Sequence, residues 1–172
     1  MATNDDVTIA AADVSVIPHV VSTWIPEVLV RKAKERDFSY RYFPWDVIIQ
    51  HPAYCCLAAT GPGGRVEGLL ALLDTGAEMK VAFVSSAPWN YGRGKGRRGI
   101  GAALIAVAVE ISRQRGYGGR VVLSSTPESE KFYERIGFRR TGATDGEGLA
   151  VFHLPAASVT RFLKSYPPLK AA

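Results

Sequence analysis

The 172 residues are 47% hydrophobic and 22% charged, with a formal net charge of +5, so the chain holds enough apolar side chain to build a core in one domain spanning residues 1–172. Met1 is followed by ATNDDVT, which has neither a basic start nor an apolar run, and no stretch nears the roughly 20 apolar residues of a membrane span. A cytoplasmic protein without a membrane partner is therefore expected, and its basic balance favours an acidic partner such as nucleic acid, acidic protein or a nucleotide.

The first twenty residues alternate weakly through Val7, Ile9, Val14, Val16 and Val20, which predicts a strand there. Thr23 can cap a helix running through Pro26 to about Arg36, with Val28, Leu29 and Ala33 spaced for a buried face. Residues 38–54, FSYRYFPWDVIIQHPAY, are aromatic-rich and punctuated by Pro44 and Pro52, so a short helix over residues 45–50 is expected between irregular pieces. Tyr40, Tyr42, Phe43 and Trp45 either join the core or line a substrate groove.

The middle of the chain reads as β structure. Residues 54–60 and 66–74 are apolar runs of strand length around a turn at GPGGR, and residues 79–85 follow as a third strand. Cys55 and Cys56 are adjacent, poor geometry for a disulfide, and should lie on opposite faces of the first of these strands. A helix is expected over residues 99–115 with Gly116 as its left-handed cap, then a buried strand at residues 121–124. Thr126 and Pro127 open another helix that Gly137 ends. Residues 138–141 and 149–154 form a last strand pair, and a tail helix through Val159, Phe162 and Leu163 stops before Pro167 and Pro168. The alternation predicts a single α/β domain.

The chemistry concentrates in residues 91–104, YGRGKGRRGIGAAL. Arg93, Lys95, Arg97 and Arg98 alternate with five glycines, and no Asp or Glu falls between Glu78 and Glu110. Ile100, Leu104, Val107 and Ile111 then follow at helical spacing. A basic glycine loop that opens a helix suits a phosphate group, because the first helical N–H groups lack intrahelical partners and carry the positive end of the macrodipole.

Two phosphate-binding patterns fit poorly. The P-loop requires Ser or Thr after G-x-x-x-x-G-K, whereas Gly96 follows Lys95 and Trp89 stands where the first glycine belongs. The dinucleotide pattern is present as Gly94, Gly96 and Gly99, but residues 121–126 offer no acid to hold a ribose.

Residues 55–154 instead resemble the GNAT superfamily of acetyl-coenzyme A dependent N-acetyltransferases. Its signature, Arg or Gln, two residues, Gly, one residue, Gly or Ala, is met by Arg98, Gly101 and Ala103, and a second register runs through Gly99 and Gly101. Downstream, EKFYERIGF at residues 130–138 resembles the family's F-Y-x-x-x-G-F block. The resemblance implies an α/β fold with a mostly antiparallel mixed sheet, splayed at its fourth and fifth strands and flanked by helices.

It further implies acetyl-coenzyme A as co-substrate and direct attack by a primary amine, from a small molecule or peptide, in a ternary complex. Arg93, Arg97, Arg98, Gly99, Ile100, Gly101, Ala102 and Ala103 would hold the pyrophosphate, while Val84, Ser86, Ser125 and Phe132 would contact the rest of the coenzyme. Ser85 and Ser86 would offer backbone groups to the oxyanion and pantetheine, and Tyr133 would protonate the leaving thiolate. No metal is implied. The strand end where many members carry Glu here reads Ser85-Ser86, and Glu78, His153, Asp46 and His51 are candidate bases by type alone. Acceptor choice would fall to residues 37–54 and 142–148. Two readings of other classes stay open, an RNA- or tRNA-directed protein and a catalytically idle coenzyme-binding protein, as does the choice of monomer or homodimer.

Overall fold

The computed structural model describes residues 4–32, 43–91 and 96–172, and for residues 25–32 the backbone alone. After β1 (Thr8–Ala11), the Asp13 carboxylate accepts from the Ser15 N–H and opens a short 3-10 turn that leads into α1 (Ile17–Lys32). This helix starts well before Thr23, whose hydroxyl instead donates back to the His19 carbonyl at 2.7 Å. The local signals that prevail are Asp13 and Pro18, a cap and a first-turn proline. Pro26 therefore sits inside the helix rather than at its start, and the predicted end near Arg36 lies outside the described residues.

The remaining elements follow the predicted order: α2 (Trp45–Gln50), β2 (Cys55–Thr60), β3 (Val66–Asp74), β4 (Met79–Ser86), α3 (Ile100–Gln114), β5 (Val121–Ser125), α4 (Glu130–Ile136), β6 (Arg139–Thr144), β7 (Ala150–His153) and α5 (Val159–Ser165). A two-residue strand, β8 (Lys170–Ala171), adds a parallel partner to β1 that sequence reading does not anticipate. Among the described residues the strands form one mixed sheet in the order β6-β7-β5-β4-β3-β2-β1-β8. Its ladders are antiparallel except β4 with β5 and β1 with β8. Cys55 is exposed and Cys56 buried, as period-2 geometry requires, and burial chiefly pushes the Cys56 thiol up to about 11.

Helices cover both faces of the sheet. On one, α3 packs Ile100, Leu104, Ile105 and Ala108 against Leu70, Leu72, Met79 and Val81, joined by Tyr133, Phe138, Phe152 and Phe162. On the other, Val20, Trp24, Trp45 and Ile48 meet Ala58, Leu69 and Ala71. Gly68 sets the close approach of α3, since a Cβ there would lie 2.8 Å from Leu104 Cδ1 and 2.9 Å from Ile100 Cγ2. No helix of the described residues is long and apolar enough to cross a membrane.

Candidate active site

The cleft begins at an irregularity in β4. Ala71 pairs with Phe83 but Leu72 pairs with Val81, so Ala82 is an extra residue, a β-bulge. The parallel ladder with β5 ends at the same level, with Val81 opposite Leu123 as its last pair. Beyond it β4 continues to Ser86 and β5 to Ser125 without pairing. On its far side β5 stays fastened to β7 as far as Ser125 opposite Ala150. The two central strands therefore part and leave backbone groups facing a gap.

The ladder also decides which groups face it. The Ala87 N–H donates to the Glu67 carbonyl at 2.8 Å. Because hydrogen-bonding direction alternates along an antiparallel strand, Ser85 likewise turns to β3, while Val84 and Ser86 turn to the gap. The Ser86 N–H donates there to the Tyr91 hydroxyl at 3.3 Å. Val84 and Ser86 line the cleft. Ser85 does not: it is 2% exposed, and its hydroxyl accepts from Trp45 Nε1 at 3.3 Å on the opposite face. Of the two adjacent serines expected at the site, only Ser86 stands in it.

Helix α3 supplies the other wall. Gly99, at φ 79°, is the residue before the helix, a left-handed conformation that favours glycine, and Ile100 begins the helix. The Gly99 carbonyl already accepts from Ala103 N at 2.9 Å. Ile100, Gly101 and Ala102 are the first-turn residues whose N–H groups have no carbonyl one turn back. All three line the cleft together with Gly99 and the exposed Arg98. A Cβ on Gly101 would come 3.5 Å from Phe132 Cζ and 3.7 Å from Ser86 Oγ, so the glycine lies where helix, strand end and α4 converge. Ala103 points away from the cleft, beside a smaller cavity that Pro167 and Pro168 also line.

Tyr133 and Phe132, from the first turn of α4, close the third side of this cleft of about 690 Å³. The Tyr133 ring is wedged between Phe132, Phe138 and Phe152 at centroid distances of 5.2, 6.0 and 6.2 Å. Burial chiefly, with a smaller contribution from Tyr91, pushes its hydroxyl well above the ordinary tyrosine range. A phenol so placed is neutral throughout the working pH range and can donate a proton. Ser125 and Phe43 also line the cleft.

The arginines divide their duties. Arg97 lines the cleft but is 6% exposed, and its guanidinium meets both Asp6 carboxylate oxygens at 2.6 and 3.0 Å and approaches Glu67 Oε1 to 3.4 Å. The Arg97 charge is thus matched inside the protein, and its guanidinium is engaged by carboxylates. Arg93, like Lys95, Tyr40 and Tyr42, lies outside the described residues. Glu78, His153, Asp46, His51 and the loop of residues 142–148 do not line this cleft.

Sequence reading missed Glu67, a fully buried acid in an otherwise apolar strand. Burial alone would raise its pKa, but hydrogen bonds from Trp89, Asn90 and Arg65 outweigh that and hold it below the ordinary glutamate value. The Arg97 hydrogen bond likewise lowers Asp6. Carboxylates depressed by folding add stability that is complete above their unfolded pKa and is lost as pH falls through the folded value. The thermal midpoint is therefore expected to hold from pH 8 to 6 and to fall progressively below about pH 4. Calorimetric scans at constant ionic strength check this; a midpoint that rises on acidification would contradict the ionised pairing.

A split sheet whose open edge meets a helix N-terminus, with a neutral tyrosine beside the split, forms one continuous cleft. A family model described as the acetyltransferase (GNAT) domain matches residues 63–153, just over half of the chain. The chain belongs to this family of acyltransferases. Among solved structures, the PaiA N-acetyltransferase from Thermoplasma acidophilum in complex with coenzyme A is 14% identical over 86% of this chain and 98% of that one, with a TM-score of 0.58. An acetyltransferase of the GNAT family from Staphylococcus aureus is 10% identical, with the same coverage and TM-score. GCN5 from Tetrahymena is 11% identical over 87% and 94%, with a TM-score of 0.57. At these identities the likeness speaks for the fold, a mixed sheet flanked by helices. No curated protein matches the chain.

Proposed function

We propose that this chain, read as a single domain, transfers the acetyl group of acetyl-coenzyme A to a primary amine by direct attack within a ternary complex. The observation that carries this reading is the convergence on one cleft of the β4–β5 gap, the first turn of α3 and Tyr133.

In this reading the first-turn amides of Ile100, Gly101 and Ala102 hold the pyrophosphate, with Arg98 adding charge from the rim. The outward-facing backbone of Val84 and Ser86 aligns the pantetheine arm. The Ser86 N–H exchanges the Tyr91 hydroxyl for the thioester oxygen and stabilises it as negative charge develops, an effect typically worth about 3 kcal/mol. The amine attacks the carbonyl carbon, the carbon–sulfur bond breaks, and Tyr133 gives its proton to the departing sulfur. The amine has to arrive neutral, since an unperturbed lysine-type amine with pKa about 10.4 is almost fully charged at pH 7. Its proton leaves to water or to Glu128, the one carboxylate among the described residues that lines the cleft, since none of the bases singled out by type does. Phe43 lines the cleft, which supports an acceptor entrance beside the aromatic segment.

Tyr133→Phe tests the assignment. The variant keeps the ring packed and removes only the donor, so kcat for coenzyme A release with a surrogate amine is expected to drop about tenfold or more while coenzyme A binding is unchanged. Turnover equal to that of the parent would remove the acid role from Tyr133.

A further inference from the structure

Glu67 lies on β3 within the run VEGLLALLD and is 0% exposed. A charge so placed is costly unless it is paired and hydrogen-bonded, and here, among the described residues, its side-chain partners are Trp89, Asn90 and Arg97 of the loop leading into α3 and Arg65, whose guanidinium lies over the Trp89 ring at 5.0 Å. Glu67 Oε2 accepts from Trp89 Nε1 at 2.8 Å and from Asn90 Nδ2 at 2.9 Å. Oε1 accepts from Arg65 Nε at 2.8 Å and faces Arg97 Nε at 3.4 Å. The backbone carbonyl of the same residue accepts from Ala87 N at 2.8 Å and Asn90 Nδ2 at 3.3 Å.

Asn90 passes the contact on, because its Oδ1 accepts the Arg97 N–H at 2.8 Å. Gly96 N donates to the Trp89 carbonyl at 3.0 Å, closing the neck of the loop. The chain thus leaves β4 through Trp89 and Asn90 and returns at Arg97, and one carboxylate fastens both strands of that neck. Two residues after Arg97 the backbone reaches Gly99 and the first-turn amides of α3. Glu67 does not itself line the cleft, whereas its partners Asn90 and Arg97 do, so it acts on the ligand only through the residues it holds.

We propose that Glu67 is the positioning residue of the phosphate cradle: it fixes the path from Arg97 to Ala102 and so governs affinity for acetyl-coenzyme A, leaving the chemical step to Ser86 and Tyr133. Arg97 then serves as the cation that keeps the Glu67 and Asp6 carboxylates and the loop together. The inference rests on the acetyl transfer proposed above.

The test is Glu67→Gln, which conserves size and one acceptor but sets an amide donor against Arg65 and Arg97. With the fold verified by its unfolding midpoint, KM for acetyl-coenzyme A and the calorimetric Kd of coenzyme A are expected to rise at least tenfold, with kcat within twofold of the parent. Adding Arg97→Gln, which removes the opposed cation, should recover part of that binding. A role in stability alone would lower the midpoint without splitting KM from kcat, and that outcome, or a fall in kcat at unchanged KM, overturns the proposal. Should Glu67→Gln not fold, Trp89→Phe removes one donor without stranding a buried charge. Its KM is expected to rise about threefold, and an unchanged KM overturns the proposal equally. Failure of the parent protein to bind coenzyme A would instead sink the functional reading, which the same calorimetry detects first.

Discussion

Gly101→Val is expected to weaken coenzyme A binding about 100-fold while leaving the thermal midpoint nearly unchanged. A Cβ at this position has ordinary clearance, 3.5 Å to Phe132 Cζ and 3.7 Å to Ser86 Oγ, so Gly101→Ala should bind close to normally. The two γ-methyl groups of valine extend into the wedge between strand end and helix, over the amides of Ile100, Gly101 and Ala102. Each hydrogen bond from such an amide to a charged acceptor is worth about 1.5–3 kcal/mol, and denying the phosphate one or two of them amounts to about 3 kcal/mol, or two powers of ten. Valine is no worse a helix former than glycine, which is why stability should be spared. Isothermal titration of both variants checks the pair; a valine variant that binds within threefold of the parent would remove the cradle from this turn.

Gly68→Val should produce the largest loss of stability. Its Cβ alone would sit 2.8 Å from Leu104 Cδ1, 2.9 Å from Ile100 Cγ2 and 3.0 Å from the Ser85 carbonyl oxygen. Leu104 and Ile100 are 0% and 1% exposed and have no room to retreat. Overpacking a dense core costs about 1–3 kcal/mol. Alanine should fall within that range, and valine at or above its upper end. For a domain of this size about 3 kcal/mol lowers the midpoint by roughly 6–12 °C. Because the clash falls on the first two turns of α3, KM for acetyl-coenzyme A is expected to rise alongside. Thermal unfolding followed by circular dichroism, paired with initial-rate kinetics, measures both effects; a Gly68→Val protein with the parent's midpoint would refute the packing argument.

Much of the scaffold was legible because it is written in local patterns. The Val66–Asp74 strand is apolar over most of its length, Gly116 and Gly137 adopt the left-handed conformations that end their helices, and the α2 boundaries follow from Pro44 and Pro52. The helix-opening glycines marked the start of α3 at the cleft for the same reason. What stayed hidden depends on contacts distant in sequence. Nothing in the pair Arg97-Arg98 says which guanidinium turns inward; that is settled by Glu67, thirty positions earlier on another element. An acid inside an apolar strand, as Glu67 is, is itself a signal that buried donors must come to meet it. The β8 strand has two residues and no periodicity to show. The choice between Ser85 and Ser86 required the register of β3 against β4, which no single strand discloses.

That register has a consequence in terms of parity. Side chains and amides alternate with a period of two, so the one extra residue at Ala82 inverts the facing of everything after it on β4. Were the bulge absent, Ser85 would take the place of Ser86 toward the gap and Val84 the place of Ser85 against Trp45, with Phe83 swung from the α2 face to the α3 face. Single-residue insertions and deletions here are therefore unlike ordinary length variation. Each would exchange the atoms offered to a ligand for their neighbours while leaving composition and strand content almost untouched, and the odd count between Val81 and Phe83 is as much a part of the site as any side chain in it.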